Sequence, residues 1–146
     1  YAVGLTSSDN GGSGLSVNYS SFARVDSSTF DNNGYMGLQS AYSSQVMADS
    51  VKVSNSEEHG YYSYGNSYIR ARYSSSDNNG GNGYLASDAS IYAYQSASTN
   101  NKDHGYEGSY NSFLNVGSAA ITASTGNVNG ASNVPASTTI HRNITQ

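Results

Sequence analysis

The sequence contains no cysteine and one proline, and only 11% of its 146 residues are charged. Without cysteine no disulfide can stabilise the fold, so stability must come from packing or assembly. No apolar run is long enough for a membrane helix or a signal peptide. Because the chain starts at Tyr1 rather than methionine, we expect a processed, exported protein, extracellular or at the cell surface.

Residues that build ordinary cores are also scarce. Leu, Ile, Val and Phe make up about 15% of the chain, below the roughly 20% that usually accompanies a self-sufficient core. Fourteen tyrosines compensate in part, because each ring can bury about 150–250 Å² while its hydroxyl stays paired or hydrated. We therefore expect a thin, tyrosine-built core that neighbouring copies of the chain complete.

The charge balance narrows the range of partners. With a net charge of −4 and a pI of about 5.0, the chain lacks the clustered cations that nucleic acid binding requires. We expect no nucleic acid partner and no insertion into a membrane. The expected partner is the chain itself, in a homo-oligomer or polymer, with a polysaccharide as a further candidate.

The second half of the sequence repeats the first at an offset of about seventy residues. The run from Ser8 to Gly12 recurs, with one extra Asn, from Ser76 to Gly81, and residues 67–74 align with residues 138–145. A near-constant offset keeps apolar residues and turn glycines in step, which chance matches in a Gly- and Ser-rich chain would not do.

This duplication predicts a domain organisation. Residues 1–75 form a first β repeat and residues 76–146 a second, and the two share one core. The Gly-, Asn- and Ser-rich stretch 126–137 is predicted to be a flexible hinge. Residues 138–145 are predicted to be a terminal strand, which either pairs within its own sheet or is donated to a neighbouring subunit.

Apolar and polar residues alternate at period two, and sustained helical spacing is absent. Turn clusters of Asn, Asp and Gly recur roughly every 20 to 26 residues. We predict an all-β, antiparallel fold of about eight strands joined by hairpins, closed into a sandwich, jelly roll or barrel. A β-solenoid is the alternative, because stacked repeats also explain the duplication.

Two glycine-rich turns follow Asp-Asn pairs and resemble, in part, the calcium-binding nonapeptide of repeats-in-toxin proteins. This resemblance makes Asp9, Asp77 and Asn79 candidate Ca²⁺ ligands. Ser16 and Leu85 stand where that motif has Asp. A glycine-rich turn without an ion is the alternative interpretation, and no other cofactor is predicted.

Two further turns combine a carboxylate with His-Gly-Tyr, at Glu58-His59 and at Asp103-His104. A histidine beside a carboxylate suits a metal site or a pH-sensitive site. The two turns do not correspond in the seventy-residue alignment, so we interpret them as ordinary surface turns. No serine lies in a Gly-Xaa-Ser-Xaa-Gly elbow and most carboxylates lie in turns, so we predict no enzymatic activity.

Arg70 and Arg72 share one face of a predicted strand. They can bind an anionic polysaccharide, pair with Asp26 and Asp49 across the sheet, or prevent incorrect edge pairing. Candidates for a ligand or assembly surface are Arg70, Arg72, Arg142, Ile140 and Ile144.

Together these features favour a secreted, non-enzymatic structural subunit of an extracellular fibre, pilus-like filament or matrix, assembling through β-strand contacts. The alternative is a secreted carbohydrate-binding or adhesion β-sandwich domain that uses exposed Tyr and Arg. Asn18 and Asn143 fit the glycosylation pattern. The turn spacing is similar to that of curlin repeats, but the regular Gln and Asn positions of that motif are missing, so we assign no family.

Overall fold

The computed structural model describes residues 1–116, 125–130, 132–133 and 139–141. These residues contain eighteen short strands in three sheets. Sheet I comprises β1 (Ala2–Val3), β4 (Phe22–Asp26), β7 (Gln45–Met47), β10 (Tyr68–Arg70), β13 (Ser90–Tyr92), β16 (Phe113–Asn115) and β18 (Thr139–His141). No helix among these residues is long and apolar enough to cross a membrane.

The other two sheets have the same arrangement. Sheet II comprises β2 (Thr6–Ser8), β5 (Thr29–Asp31), β8 (Lys52–Ser54), β11 (Ser75–Asp77) and β14 (Ala97–Thr99). Sheet III comprises β3 (Leu15–Asn18), β6 (Leu38–Ala41), β9 (Tyr61–Tyr64), β12 (Tyr84–Ser87), β15 (Tyr106–Ser109) and β17 (Ser132–Asn133).

The chain visits sheets I, II and III in turn and then returns to sheet I, so it winds as a β-solenoid. We call each circuit a coil: coil 1 is β1–β3, coil 2 is β4–β6, coil 3 is β7–β9, coil 4 is β10–β12 and coil 5 is β13–β15. Equivalent residues of successive coils hydrogen bond at a separation of 23 residues in the first coils and 22 between coils 4 and 5. Strands β16, β17 and β18 continue the winding.

All ladders between successive coils are parallel and in register. Phe22 of coil 2 lies opposite Gln45 of coil 3, which lies opposite Tyr68 of coil 4. The prediction of an all-β fold is confirmed, but the antiparallel sandwich, jelly roll or barrel of about eight strands is wrong. The β-solenoid alternative fits. Each turn cluster joins strands of two different sheets, so it makes a corner rather than a hairpin.

The sequence duplication has a simple relation to this winding. Three coils span about seventy residues, so the offset found in the sequence aligns each coil with the third coil after it. The position between residues 75 and 76 falls inside β11. Of the predicted hinge, residues 131 and 134–137 lie outside the described residues. Of the predicted terminal strand, Thr139–His141 pairs in parallel with β16 of its own chain.

The corners depend on left-handed backbone conformations that recur in every coil. Each of the five coils has three such corners, one in each of three rows, with φ between 49° and 67°. Asn, Asp and Gly adopt this region most easily, and they fill the row between sheets II and III. That row comprises Asp9, Asn32, Asn55, Asn78 and Asn100.

A buried row of asparagines follows these corners and links the coils. Asn79 donates a side-chain hydrogen bond to Oδ1 of Asn101 at 2.9 Å, and Asn101 donates to Oδ1 of Asn127 at 2.8 Å. Asn10 and Asn33 are joined in the same way at 2.9 Å. Ser56 occupies the position in coil 3, where its backbone N–H donates to Oδ1 of Asn79. The row satisfies buried polar groups that the corners would otherwise leave unpaired.

Aromatic stacking fills the centre of coils 3 to 5. Tyr61, Tyr84 and Tyr106 are fully buried, with ring centroids 4.5 Å and 5.0 Å apart and nearly parallel planes. The Tyr106 hydroxyl crosses the interior and donates to the carbonyl oxygen of Ser96 at 2.6 Å. Burial raises the pKa of Tyr61 and of Tyr84 far above the ordinary tyrosine value, so both stay neutral. The expectation that tyrosines build part of the core agrees with this packing.

Sheet II compensates for the size of these rings. Phe30 in coil 2 is replaced in register by Val53, Ser76 and Ser98 in coils 3 to 5, while in sheet III Leu38 is replaced by Tyr61, Tyr84 and Tyr106. A large side chain on one sheet is therefore balanced by a small one on another, which keeps the cross-section of the coil constant. Such volume conservation is what a close-packed interior requires.

A row of glycines permits the tight passage into sheet III. At Gly83 an added Cβ would overlap Oγ of Ser98 and lie 2.7 Å from the carbonyl oxygen of Gly105. Gly37 and Gly60 meet comparable obstacles. Gly12, in contrast, has open space around it and an ordinary φ.

We therefore expect Gly83→Ala to destabilise the protein by about 1–3 kcal/mol, because the methyl group overpacks a rigid stack. Gly12→Ala is the matched control and should change the free energy of unfolding by less than about 0.5 kcal/mol. Urea denaturation followed by tyrosine fluorescence measures both values. Equal stabilities for the two variants would contradict the tight packing at Gly83.

Candidate functional site

Exposed tyrosines line the corner between sheets III and I. Tyr19, Tyr42, Tyr64 and Tyr110 are 78%, 49%, 37% and 73% exposed, respectively. The rings of Tyr19 and Tyr42 stack at 5.1 Å, and Tyr64 meets Tyr42 edge to face at 5.6 Å. We call these four residues the tyrosine row. It forms an amphipathic strip of exposed aromatic side chains along the solenoid.

The backbone conformation of this row is unusual. Tyr19, Tyr42 and Tyr110 have φ values of 57°, 55° and 57°, a region that bulky residues rarely adopt. In coil 3 Gly65 takes the left-handed position, with φ of 59°, and Tyr64 precedes it. The same left-handed conformation recurs at the other corners of the coil, with φ of 55° at Tyr73.

Coil 4 interrupts the row because its corner is shorter. Three residues join sheet III to sheet I in coil 3 and in coil 5, at positions 65–67 and 110–112. In coil 4 only Asp88 and Ala89 separate β12 from β13. The shorter corner leaves a depression of about 350 Å³, which we call the notch. It is lined by Tyr64, Ser87, Asp88, Tyr110 and Asn111.

Polar side chains are available inside the notch. Within the described part of the chain, no hydrogen bond or ion pair is formed by the carboxylate of Asp88 or by the side-chain amide of Asn111. Asp88 is partly buried and Asn111 is exposed. The notch therefore combines two tyrosines with a carboxylate and an amide that can bind hydroxyl groups.

The arginines that the sequence singled out lie on the outer face of sheet I. Nη2 of Arg70 is 2.8 Å from Oδ2 of Asp49, and Nη2 of Arg72 is 2.6 Å from the same oxygen. The structure thus contains the cross-strand pairing with Asp49 that was one of the three interpretations. Arg24 is paired in turn with Asp26, at 2.5 Å from Nε to Oδ2.

The environment of Asp49 changes its acidity. Burial favours the neutral carboxyl, but hydrogen bonds from Arg72 and Arg70 outweigh it and hold the pKa of Asp49 below its usual value. The backbone N–H of Arg72 also donates to Oδ1 of Asp49. A single carboxylate offsets one of the two guanidinium charges, so both arginines are hydrogen bonded while the cluster keeps a net positive charge.

The candidate calcium ligands occupy separate places. Asp9 is an exposed left-handed corner residue that accepts a hydrogen bond from the Asn32 amide at 2.6 Å. Asp77 lies in sheet II, three coils away, and accepts hydrogen bonds from Thr99 and Asn100. Asn79 is buried in the asparagine row described above. The structure does not bring these three residues together around one point.

The two histidine turns are equivalent in the coil, although the sequence alignment did not match them. The carbonyl of His59 accepts from Gly37 N–H, and that of His104 accepts from Gly83 N–H, so both occupy the position before the row of glycines. They are two coils apart. Nδ1 of His59 accepts a hydrogen bond from the backbone of Asn82 at 2.9 Å, and burial lowers the pKa of His59.

Around the second turn, Asp103, His104 and Glu107 place three potential metal ligands within 4.8 Å of one another. Nδ1 of His104 is 2.9 Å from Oδ1 of Asp103 and 3.7 Å from Oε2 of Glu107. This cluster can hold a divalent cation, and a protonated histidine between two carboxylates has the same geometry. Among the described residues it is the group most suited to a metal.

Several residues singled out in the sequence fall in the terminal segment. Arg142, Asn143 and Ile144 lie outside the described residues. Ile140 belongs to β18, opposite Leu114.

Sequence reasoning missed the tyrosine row and the notch. Both depend on knowing that positions 19, 42, 64 and 110 lie at one corner, which only the 23-residue winding reveals. The sequence did contain a signal for the notch. The segment that follows Ser87, between the strands of sheets III and I, is one residue shorter than the corresponding segments of the other coils. Comparisons with protein-family models, with curated proteins and with solved structures found no match for this chain.

The Asp49 cluster generates a prediction on pH dependence. Asp49→Asn should destabilise the protein by about 1 kcal/mol at pH 7, because two partly exposed arginines lose their anionic partner. The difference from wild type should persist above the unfolded carboxyl pKa of about 3.9. It should vanish as the pH falls through the lower folded-state pKa of Asp49.

Urea denaturation at a series of pH values between 7 and 2 measures this difference. Asp88→Asn serves as the control, because no ion pair engages that carboxylate among the described residues. A difference between wild type and Asp49→Asn that stays constant over this range would contradict the assignment.

Proposed function

We propose that this protein is a non-enzymatic structural subunit of an extracellular or cell-surface fibre or matrix, in which solenoids join end to end through β-strand contacts. The observation that carries the proposal is the in-register stacking of parallel strands in three sheets. At the coil 1 end the three sheets terminate in the edge strands β1, β2 and β3, and edge strands present unpaired backbone groups.

The coil 1 end illustrates the available edge. Leu15 donates its N–H to Gly37 of coil 2, and in a parallel ladder the neighbouring residue directs its N–H to the opposite side. Ser16 of β3 therefore directs its backbone N–H away from coil 2. Exposed apolar side chains also lie close to this end, with Val3 59% and Leu5 37% exposed. A strand of a second copy can continue each sheet here in a head-to-tail arrangement.

We expect the purified protein to form linear assemblies that lengthen with concentration and that Ser16→Pro suppresses. Proline removes the outward N–H and its ring obstructs the incoming strand, while an edge strand tolerates it. Light scattering after size-exclusion chromatography and negative-stain microscopy measure assembly.

Ser16→Ala is the matched control, because it retains the backbone N–H, and it should assemble like wild type. Circular dichroism and the urea midpoint establish that Ser16→Pro is folded, and Thr6→Pro on the β2 edge gives an independent test of the same end. Monodisperse wild-type monomers at all concentrations would refute the end-to-end model.

A second candidate function, carbohydrate binding or adhesion at the cell exterior, is favoured by the tyrosine row. Tyrosines expose apolar ring faces together with hydroxyl groups, and pyranose rings present matching C–H faces and hydroxyls. The carboxylate of Asp88 at the same corner favours a neutral glycan over an anionic one, because like charges repel.

Affinity electrophoresis tests this candidate with gels containing hydroxyethylcellulose or alginate. We expect the neutral polymer to retard the protein and alginate to leave its mobility unchanged. Retardation by alginate that depends on Arg70 and Arg72 would instead support an anionic ligand, and no retardation in either gel would remove carbohydrate binding from consideration.

A further inference from the structure

We propose that the notch is a binding site for one sugar ring of a neutral, equatorially linked hexose polysaccharide. The inference rests on the second candidate function and specifies its site and ligand class. Its basis is the interrupted corner of coil 4, where tyrosines flank two unengaged polar groups.

The width of the notch suits a single sugar. Tyr64 and Tyr110 belong to coils 3 and 5, and neighbouring strands are about 4.7–4.9 Å apart, so their backbones are separated by roughly 10 Å. The depression of about 350 Å³ that both tyrosines line admits one sugar ring.

The polar groups define the chemistry of the ligand. The carboxylate of Asp88 accepts hydrogen bonds from sugar hydroxyls, and the amide of Asn111 both donates and accepts them. A carboxylate at the base of the site repels anionic sugars. Arg70 and Arg72 are not among the residues that line the notch.

Isothermal titration calorimetry with cellohexaose and chitohexaose tests the site directly. Wild type should bind at least one of them, and Tyr110→Asn should weaken binding about tenfold through loss of one aromatic wall. Tyr73→Asn is the matched control: Tyr73 is 57% exposed and has φ of 55°, but it lies at another corner. It should leave the dissociation constant within twofold of wild type.

Two further variants separate the notch from the tyrosine row as a whole. Asp88→Gly keeps the left-handed corner and removes the carboxylate, so it should weaken binding several-fold. Insertion of one Ser between Asp88 and Ala89 restores a three-residue corner, which coils 3 and 5 already accommodate, and should abolish binding by filling the notch. Circular dichroism establishes that each variant is folded.

The outcomes distinguish failure of the proposed site from failure of the proposed carbohydrate-binding function. Hexasaccharide binding that survives both Tyr110→Asn and the insertion would overturn the notch and leave carbohydrate binding elsewhere on the row. Failure of wild type to bind either hexasaccharide, together with normal mobility in the hydroxyethylcellulose gel, would overturn both. Neither result bears on end-to-end assembly, which is measured without glycan.

Discussion

The in-register parallel pairing of successive coils determines most of this structure. Because each strand lies directly above its equivalent, every inward side chain contacts the same position of the next coil, and any mismatch would propagate along the axis. The glycines at 37, 60 and 83 face obstacles that leave no space for a Cβ. The asparagine row, the stacked tyrosines and the serines of sheet II meet the same requirement for a constant cross-section.

This geometry also explains how a chain poor in aliphatic residues can fold. A solenoid coil is narrow, so a few inward residues fill it, and alanine, serine and glycine serve as well as leucine where another sheet supplies a large ring. Buried serines bond to the backbone: Oγ of Ser74 donates to the carbonyl of Ala48 at 2.8 Å, and Oγ of Ser76 to that of Gly83 at 2.9 Å. Aliphatic content therefore underestimates the core of such a fold.

The sequence was sufficient to predict the all-β class, the positions of many corners and the role of tyrosine in packing. It was not sufficient to predict which strands pair. An Asn- and Gly-rich cluster such as residues 9–14, between β2 and β3, has the same local chemistry whether it reverses the chain in a hairpin or turns it through a corner. Strands of three residues, such as β5 and β8, are too short for alternation to distinguish the two.

The 23-residue period was present in the spacing of the turn clusters, but few residues are identical from one coil to the next. Gly14, Gly37, Gly60 and Gly83 recur at 23-residue intervals, whereas the inward positions vary because volume is exchanged between sheets. The longer offset of about seventy residues was easier to detect, since it aligned the two Asp-Asn-Gly-Gly corners of coils 1 and 4. The sequence comparison therefore detected a unit of three coils instead of the single coil that is the true repeat.

Departures from the repeat are the most informative positions for function in a fold of this kind. A residue that recurs in each coil is explained by stacking, whereas the shorter corner at Asp88 and Ala89 is required by none of the ladders beside it. Coils 3 and 5 show that a third residue fits there. The missing residue opens a gap between Tyr64 and Tyr110, and both tyrosines remain exposed at a corner where smaller residues would fold at least as well. Stacking constraints alone do not account for that combination, whereas the proposed binding site would.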